Sequence, residues 1–141
     1  MSFHKLNRKG KAEGILVGGN LSLLYALQGS KSDIDTKGKI LFIEDLDEYL
    51  YHIDRMMMSL KRAGKLSHLA GLIVGEMSDM KDNEVPFGKT AEEIICESVS
   101  EFNYPVCFNF PAGHRPKNLA LPFGRRANLM VEQEVTNLCY L

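Results

Sequence analysis

Glu44 and His114 are the residues of this chain whose type and setting most suggest chemistry. Glu44 follows Ile40-Leu41-Phe42-Ile43, at the expected carboxyl end of a strand. In open α/β sheets, ligand sites gather outside the carboxyl ends of strands. A carboxylate there is partly shielded from water and needs a cationic or N–H partner. That partner is either functional or simply a neighbouring Lys, Arg or helix N-terminus. Asp45 and Glu48 compete for any acidic role, with Glu48 better suited to stabilise the first turn of a helix.

The chain has four histidines. His4 belongs to the N-terminal stretch, His52 to the polar side of a helix and His68 to a turn. His114 alone stands in a Gly/Pro-rich loop directly after a buried strand, flanked by Arg115 and Lys117. Loops on a rigid scaffold concentrate functional side chains, although a loop histidine can equally be solvated or bonded to backbone. The adjacent cations oppose the imidazolium form. Proton transfer by His114 therefore needs a nearby carboxylate, and Glu44 is a candidate. Gly18-Gly19-Asn20, between a strand and a helix, is either an anion-binding turn or a tight turn that needs glycine. Arg115, Lys117, Arg125 and Arg126 are candidate carboxylate partners, or else solvated charges.

Other chemistries are poorly supported. There is no G-x-G-x-x-G or P-loop pattern for a nucleotide, and no H-E-x-x-H or other ligand spacing for a metal. No cofactor is expected. No G-x-S-x-G elbow is present, so a nucleophilic serine within the chain is not indicated. The three cysteines are far apart in sequence and read as reduced thiols, the state expected in the cytoplasm. The Met56-Met57-Met58 run reads as adaptable helix packing.

The elements that must position these residues follow from hydrophobic spacing. Residues 1–13 are polar and read as a linker or arm. Strands are expected at 15–17, 39–44, 69–75 and 105–108, with helices at 21–28, 48–63 and 90–102 between them. Asn20 suits an N-cap for the first helix, and Thr90 with Glu93 forms a capping box for the third. Residues 76–89 and 110–118 read as loops, and strands near 126–132 and 135–140 form a closing hairpin. The order βαβαβαβ followed by ββ implies an α/β domain with a mainly parallel core and a C-terminal β-hairpin.

Composition sets the remaining bounds. The 141 residues suffice for one domain, and a formal charge of -1 offers no basic field for nucleic acid or an anionic membrane. No apolar run approaches a membrane span.

Taken together, several segments resemble the LD-carboxypeptidases, or muramoyltetrapeptide carboxypeptidases, a serine peptidase family that includes the microcin C self-immunity peptidases. The resemblance is carried by Glu13 through Leu24, Gly38 through Asp45, Glu48 to Met56, Leu60 through Gly64, Gly71 through Gly75, Gly113-His114 and Leu121-Pro122-Phe123-Gly124. It implies an N-terminal domain with a nucleophilic serine, and a C-terminal swivelling β/β/α-type domain that contributes Glu and His. The matching positions are Glu44 and His114, with Asn20 near the substrate. On this resemblance residues 14–141 are the second domain, and the serine-bearing domain is not part of the chain.

The implied reaction is hydrolysis of the L-to-D amide bond of a murein tetrapeptide, releasing D-alanine in peptidoglycan recycling. Gly19, Asn20, Arg115 and Lys117 are the candidate substrate contacts, and homodimers are known in the family. Three other readings stand beside this one: cleavage of a peptidyl-nucleotide amide as in the microcin-type enzymes, a muropeptide-binding protein without activity, and a non-enzymatic anion-binding module.

Overall fold

The central strand opens on four consecutive apolar residues because both of its faces are covered there. In the structure, a computed structural model that describes residues 4–132 and 134–141, this strand is β2, Ile40–Leu46. Leu41 and Ile43 face one cluster of buried side chains, and Ile40 and Phe42 face another. The alternation is that of any strand, but from Ile40 to Ile43 neither face is polar, as expected where a sheet is buried on both sides.

The other strands are β1, Gly10–Asn20, β3, Gly71–Ser78, β4, Val106–Cys107, β5, Arg126–Val131, and β6, Thr136–Tyr140. They form a six-stranded sheet in the order β4-β3-β2-β1-β5-β6. The β4-β3-β2-β1 part is parallel, and the β5–β6 hairpin joins β1 antiparallel. β1 is long enough to serve both parts, with Gly10 to Ile15 paired to β5 and Leu16 to Asn20 paired to β2. Arg8, just ahead of β1, exchanges backbone bonds of 2.9 and 3.0 Å with Val106 of β4. The sheet is thereby nearly closed into a barrel.

Three helices cover one face: α1, Leu21–Leu27, α2, Leu50–Arg62, and α3, Ala91–Ser98. Ile53, Met56, Met57 and Leu60 of α2 pack with Ile94 and Ile95 of α3 over Leu41, Ile43, Leu72 and Val74 of the sheet. Asn20 caps α1, and Thr90 and Glu93 form the expected capping box on α3. On the opposite face Ala127, Leu129 and Val131 of the hairpin close over Leu16, Ile40, Phe42 and Ile73. This is the α/β fold with a parallel core and terminal hairpin that the element order implied.

The boundaries differ from expectation in places that matter. Residues 10–13, read as the end of an arm, are the first half of β1. Lys11 and Glu13 alternate with the less exposed Ala12 and the buried Gly14, so a strand with one solvent-exposed face passed for a polar tail. The preceding residues are tied down too. The Arg8 guanidinium bonds the carbonyl oxygens of Val99 and Phe102, in the turn that follows α3. Asn7 Oδ1 accepts the Phe108 N–H at 2.8 Å. β2 continues through Leu46 and β3 through Ser78, whereas α2 and α3 are shorter than the spacing suggested.

Among the described residues no helix is long and apolar enough to cross a membrane, and all three cysteines are free. Burial pushes the Cys107 thiol up, while Cys139 is exposed. A thiol reagent should therefore modify Cys139 in the folded protein and Cys107 only after denaturation, which mass spectrometry of the labelled peptides would check. Gly18 has a φ of +132°, and a Cβ there would sit 1.9 Å from the carbonyl oxygen of Phe42. Gly18→Ala should lower unfolding stability by about 3 kcal/mol or more, measured by urea titration.

Candidate active site

The register of β1 on β2 places Asn20 directly beside Glu44. Beyond that point the chain needs polar satisfaction for two adjacent buried acids, Glu44 at 7% and Asp45 at 3% exposure. Strand alternation sends them to opposite faces. Asp45 turns towards α1, accepting the Ser22 N–H at 2.9 Å, the Ser22 hydroxyl at 2.7 Å and Asn20 Nδ2 at 2.9 Å. It is fully engaged in holding the start of that helix. Glu44 shares its face with Phe42 and meets the loop that follows β4.

That meeting is a hydrogen bond of 2.6 Å between His114 Nδ1 and Glu44 Oε2. An ionised carboxylate only accepts, so the Nδ1 proton is the one donated. The neutral imidazole then carries its lone pair on Nε2, which has no partner among the described residues. The His114 side chain is 45% exposed, whereas that of Glu44 is 9% exposed. The carboxylate is thus the fixed, dry member of the pair, and the outer edge of the imidazole is open. Such a pair can take a proton from a hydroxyl placed at Nε2 and return it to a leaving group.

A β-bulge shapes the neighbouring wall. Between Ile43↔Val74 and Asp45↔Met77 the register shifts, so Gly75 and Glu76 of β3 together oppose Glu44. The extra residue brings Glu76 to the His114 side of the sheet. Its N–H donates to Ala112 O at 3.2 Å, and its carboxylate lies 3.2 Å from Arg115 Nε. Gly75 must be small, since a Cβ would lie 2.5 Å from Ala112 O.

Beside the pair lies a pocket of about 420 Å³ lined by residues that include Gly19, Glu44, Phe42, Leu121 and Phe123. Phe42 and Phe123 form its aromatic wall, their ring centroids 5.9 Å apart. Of the residues singled out from sequence, the structure brings Glu44, His114 and Gly19 together. Asn20 is adjacent, but its side chain is occupied, with Oδ1 accepting Leu23 N–H and Nδ2 on Asp45. Arg115 is held on Glu76, and Lys117 is exposed and does not line the pocket. Arg126 pairs with Glu13, away from this cluster. Glu76, Asn118 and the Phe42–Phe123 wall were not singled out as site residues. Only the Leu121–Gly124 segment hinted at that wall.

A second histidine–carboxylate–serine set has the wrong order for catalysis. Ser22 Oγ lies 2.7 Å from Asp45 and 2.9 Å from Glu48, and Glu48 lies 2.8 Å from His52 Nδ1. The hydroxyl faces carboxylates and has no imidazole to activate it. Glu48, expected in the first turn of α2, precedes the helix, which starts at Leu50, and it ties α1 to α2 instead. Among the described residues no group of three or more His, Cys, Asp or Glu could hold a metal.

An acid-oriented imidazole on the rim of an α/β sheet is the acid–base part of many hydrolase sites. The sequence profile of the LD-carboxypeptidase C-terminal domain matches residues 13–129, and the chain belongs to that family. It is 42% identical over 118 residues to a probable murein peptide carboxypeptidase of Bacillus subtilis (strain 168), covering 84% of this chain and 37% of the relative. The fold is similar to a muramoyltetrapeptide carboxypeptidase from Oxalobacter formigenes, with a TM-score of 0.88, 32% identity, and coverage of 99% of this chain and 48% of that one. It is also similar to the microcin C7 self immunity protein in complex with aspartyl sulfamoyl adenosine, with a TM-score of 0.83, 25% identity, and coverage of 96% of this chain and 40% of that one. The chain therefore spans less than half the length of these relatives.

The Glu48 cluster generates a pH test. Burial alone would raise the Glu48 carboxyl, but hydrogen bonds from His52 and Ser22 outweigh it and hold the group below its ordinary 4.5. A depressed folded pKa gives stability that is present above pH 4.5 and lost as pH falls through the depressed value. Glu48→Gln should be less stable than the parent at pH 7 and should lose less on acidification. Urea midpoints at pH 7 and pH 3.5 would show it.

Proposed function

We propose that Glu44 and His114 are two members of a Ser-His-Glu triad whose serine lies on the N-terminal domain of the whole protein, a carboxypeptidase acting on murein tetrapeptides. The single observation that carries this reading is the 2.6 Å bond between His114 Nδ1 and Glu44 Oε2, which leaves Nε2 open. Membership of the LD-carboxypeptidase family and similarity to a muramoyltetrapeptide carboxypeptidase supply the substrate class.

In this mechanism His114 Nε2 takes the proton of the serine hydroxyl as the oxygen attacks the carbonyl of the L-to-D amide bond. Glu44 keeps the imidazole in the required tautomer and stabilises the imidazolium that forms. His114 then protonates the departing amine, and D-alanine leaves. Water, deprotonated by the same imidazole, hydrolyses the acyl-enzyme. Buried and backed by the sheet, Glu44 cannot relax away from a charged His114, so the pair is preorganised.

Gly19 and Asn20 border the site from β1, and Arg115 and Lys117 supply positive charge for the substrate carboxylates on its outer side. The reaction needs no cofactor. Its place is the cytoplasm, in the recycling of cell-wall peptides. This chain alone lacks the nucleophile and is inactive in this reading. Cleavage of a peptidyl-nucleotide amide, the microcin-type alternative, would use the same dyad with a different occupant.

Three assays of D-alanine release from a murein tetrapeptide test the proposal. The chain by itself should release none. In the whole protein, His114→Ala should abolish turnover with the fold intact, and Glu44→Gln should lower kcat on the order of 10⁴-fold. Turnover by the isolated chain, or retention of activity in His114→Ala, would overturn it.

A further inference from the structure

His114 stands in a loop that is fastened residue by residue. Pro111 O accepts the Leu119 N–H at 2.8 Å, and Ala112 O accepts the Glu76 N–H at 3.2 Å. Gly113 N–H donates to Asn118 Oδ1 at 3.2 Å. His114 bonds Glu44, and Arg115 pairs with Glu76. The Arg115 side chain is 60% exposed, and an ion pair so open to solvent contributes little. Among the described residues, and apart from Glu44 itself, Asn118 is the side chain anchoring this loop that reaches the backbone next to His114.

The position of that contact matters. Gly113 has a φ of +142°, and a Cβ on it would sit 3.2 Å from Glu44 Oε2, the oxygen that accepts from His114. The Gly113 backbone is therefore packed against the acceptor itself. Glycine is also the residue with the widest conformational freedom, so where His114 points depends on how firmly the peptide entering Gly113 is held. That Ala112–Gly113 peptide is held at both ends, its carbonyl by the Glu76 N–H and its N–H by Asn118 Oδ1. The contact lies in an exposed loop, and neither Gly113 nor Asn118 belongs to the two buried clusters.

We infer that Asn118 is a positioning residue for the reaction proposed above: by holding the Gly113 peptide it keeps the His114 imidazole in line with Glu44. The inference rests on the Glu44–His114 reading and adds a residue to it. Misplacing a catalytic group by about 1 Å can cost on the order of 10²-fold in rate. The loss should appear in kcat, since Asn118 acts on the imidazole.

The test follows the His114 Nδ1–H by proton NMR on this chain. The wild-type resonance should exchange slowly with water and be lost in Glu44→Gln. Asn118→Ala should accelerate its exchange at least tenfold, while Asn118→Asp, which keeps the Oδ1 acceptor, should stay within threefold of wild type. All variants should keep the wild-type amide spectrum outside residues 111–119. In the whole protein, Asn118→Ala should lower kcat 10- to 100-fold with KM within threefold, and Asn118→Asp should recover most of the loss.

A resonance that Glu44→Gln leaves unchanged would sink the dyad itself. A resonance that depends on Glu44 but is unmoved by Asn118→Ala would overturn the role of Asn118 alone. Equal acceleration by Ala and Asp would also overturn that role, because the acceptor would then not be the cause.

Discussion

The parallel pairing of β1 with β2 is the constraint on which the rest of the structure depends. Gly18 passes over the Phe42 carbonyl at a distance that admits no side chain. That close approach lets the strands run in register to Asn20 and Glu44. The same strand, at its other end, pairs with the hairpin. One strand therefore joins the parallel part to the antiparallel part, and the apolar cluster between them includes Phe42, which lines the pocket.

At the end of β2 two neighbouring carboxylates are buried and their environments diverge. Each loses hydration, and each must be compensated by hydrogen bonds, since an unpartnered buried charge is costly. Asp45 is answered locally, by a helix N-terminus, a serine and an asparagine, and is saturated. Glu44 receives one N–H from a residue 70 positions away. Its remaining capacity is directed at the pocket. A saturated acid is structural, whereas one with a single, exposed imidazole partner is free to orient that imidazole and to stabilise its charged form, and this difference in compensation is the physical basis for preferring Glu44 in the proposed role.

The loop carrying His114 has no regular secondary structure, yet its backbone is held by β3 and by its own returning segment at Leu119. The bulge at Gly75-Glu76 is the device that makes this attachment. Without the extra residue, alternation would turn Glu76 to the helical face, and the Ala112 carbonyl would lose its donor. A defect in sheet pairing thus supplies the anchoring that the loop cannot supply itself.

Much of this was legible in residue order. The run Ile40 to Ile43 announced a strand buried on both faces, Asn20 and Thr90 announced helix starts, and the order of elements announced the parallel core and hairpin. Glu44 and His114 stood out by type and setting, and the resemblance to LD-carboxypeptidases paired them. The first residues of β1 were hidden because Lys11 and Glu13 lie on its solvent-exposed face, which in one dimension looks like a polar tail. Two acids side by side after a strand apolar on both faces give no parity signal, so the divergence of Glu44 and Asp45 was also hidden. Local spacing, capping residues and apolar runs are properties of neighbours along the chain, and the elements they dictate could be read from residue order. Strand register, the bulge under the His114 loop and the contact between positions 44 and 114 depend on atoms from distant segments brought together by packing, and they emerge with the folded chain.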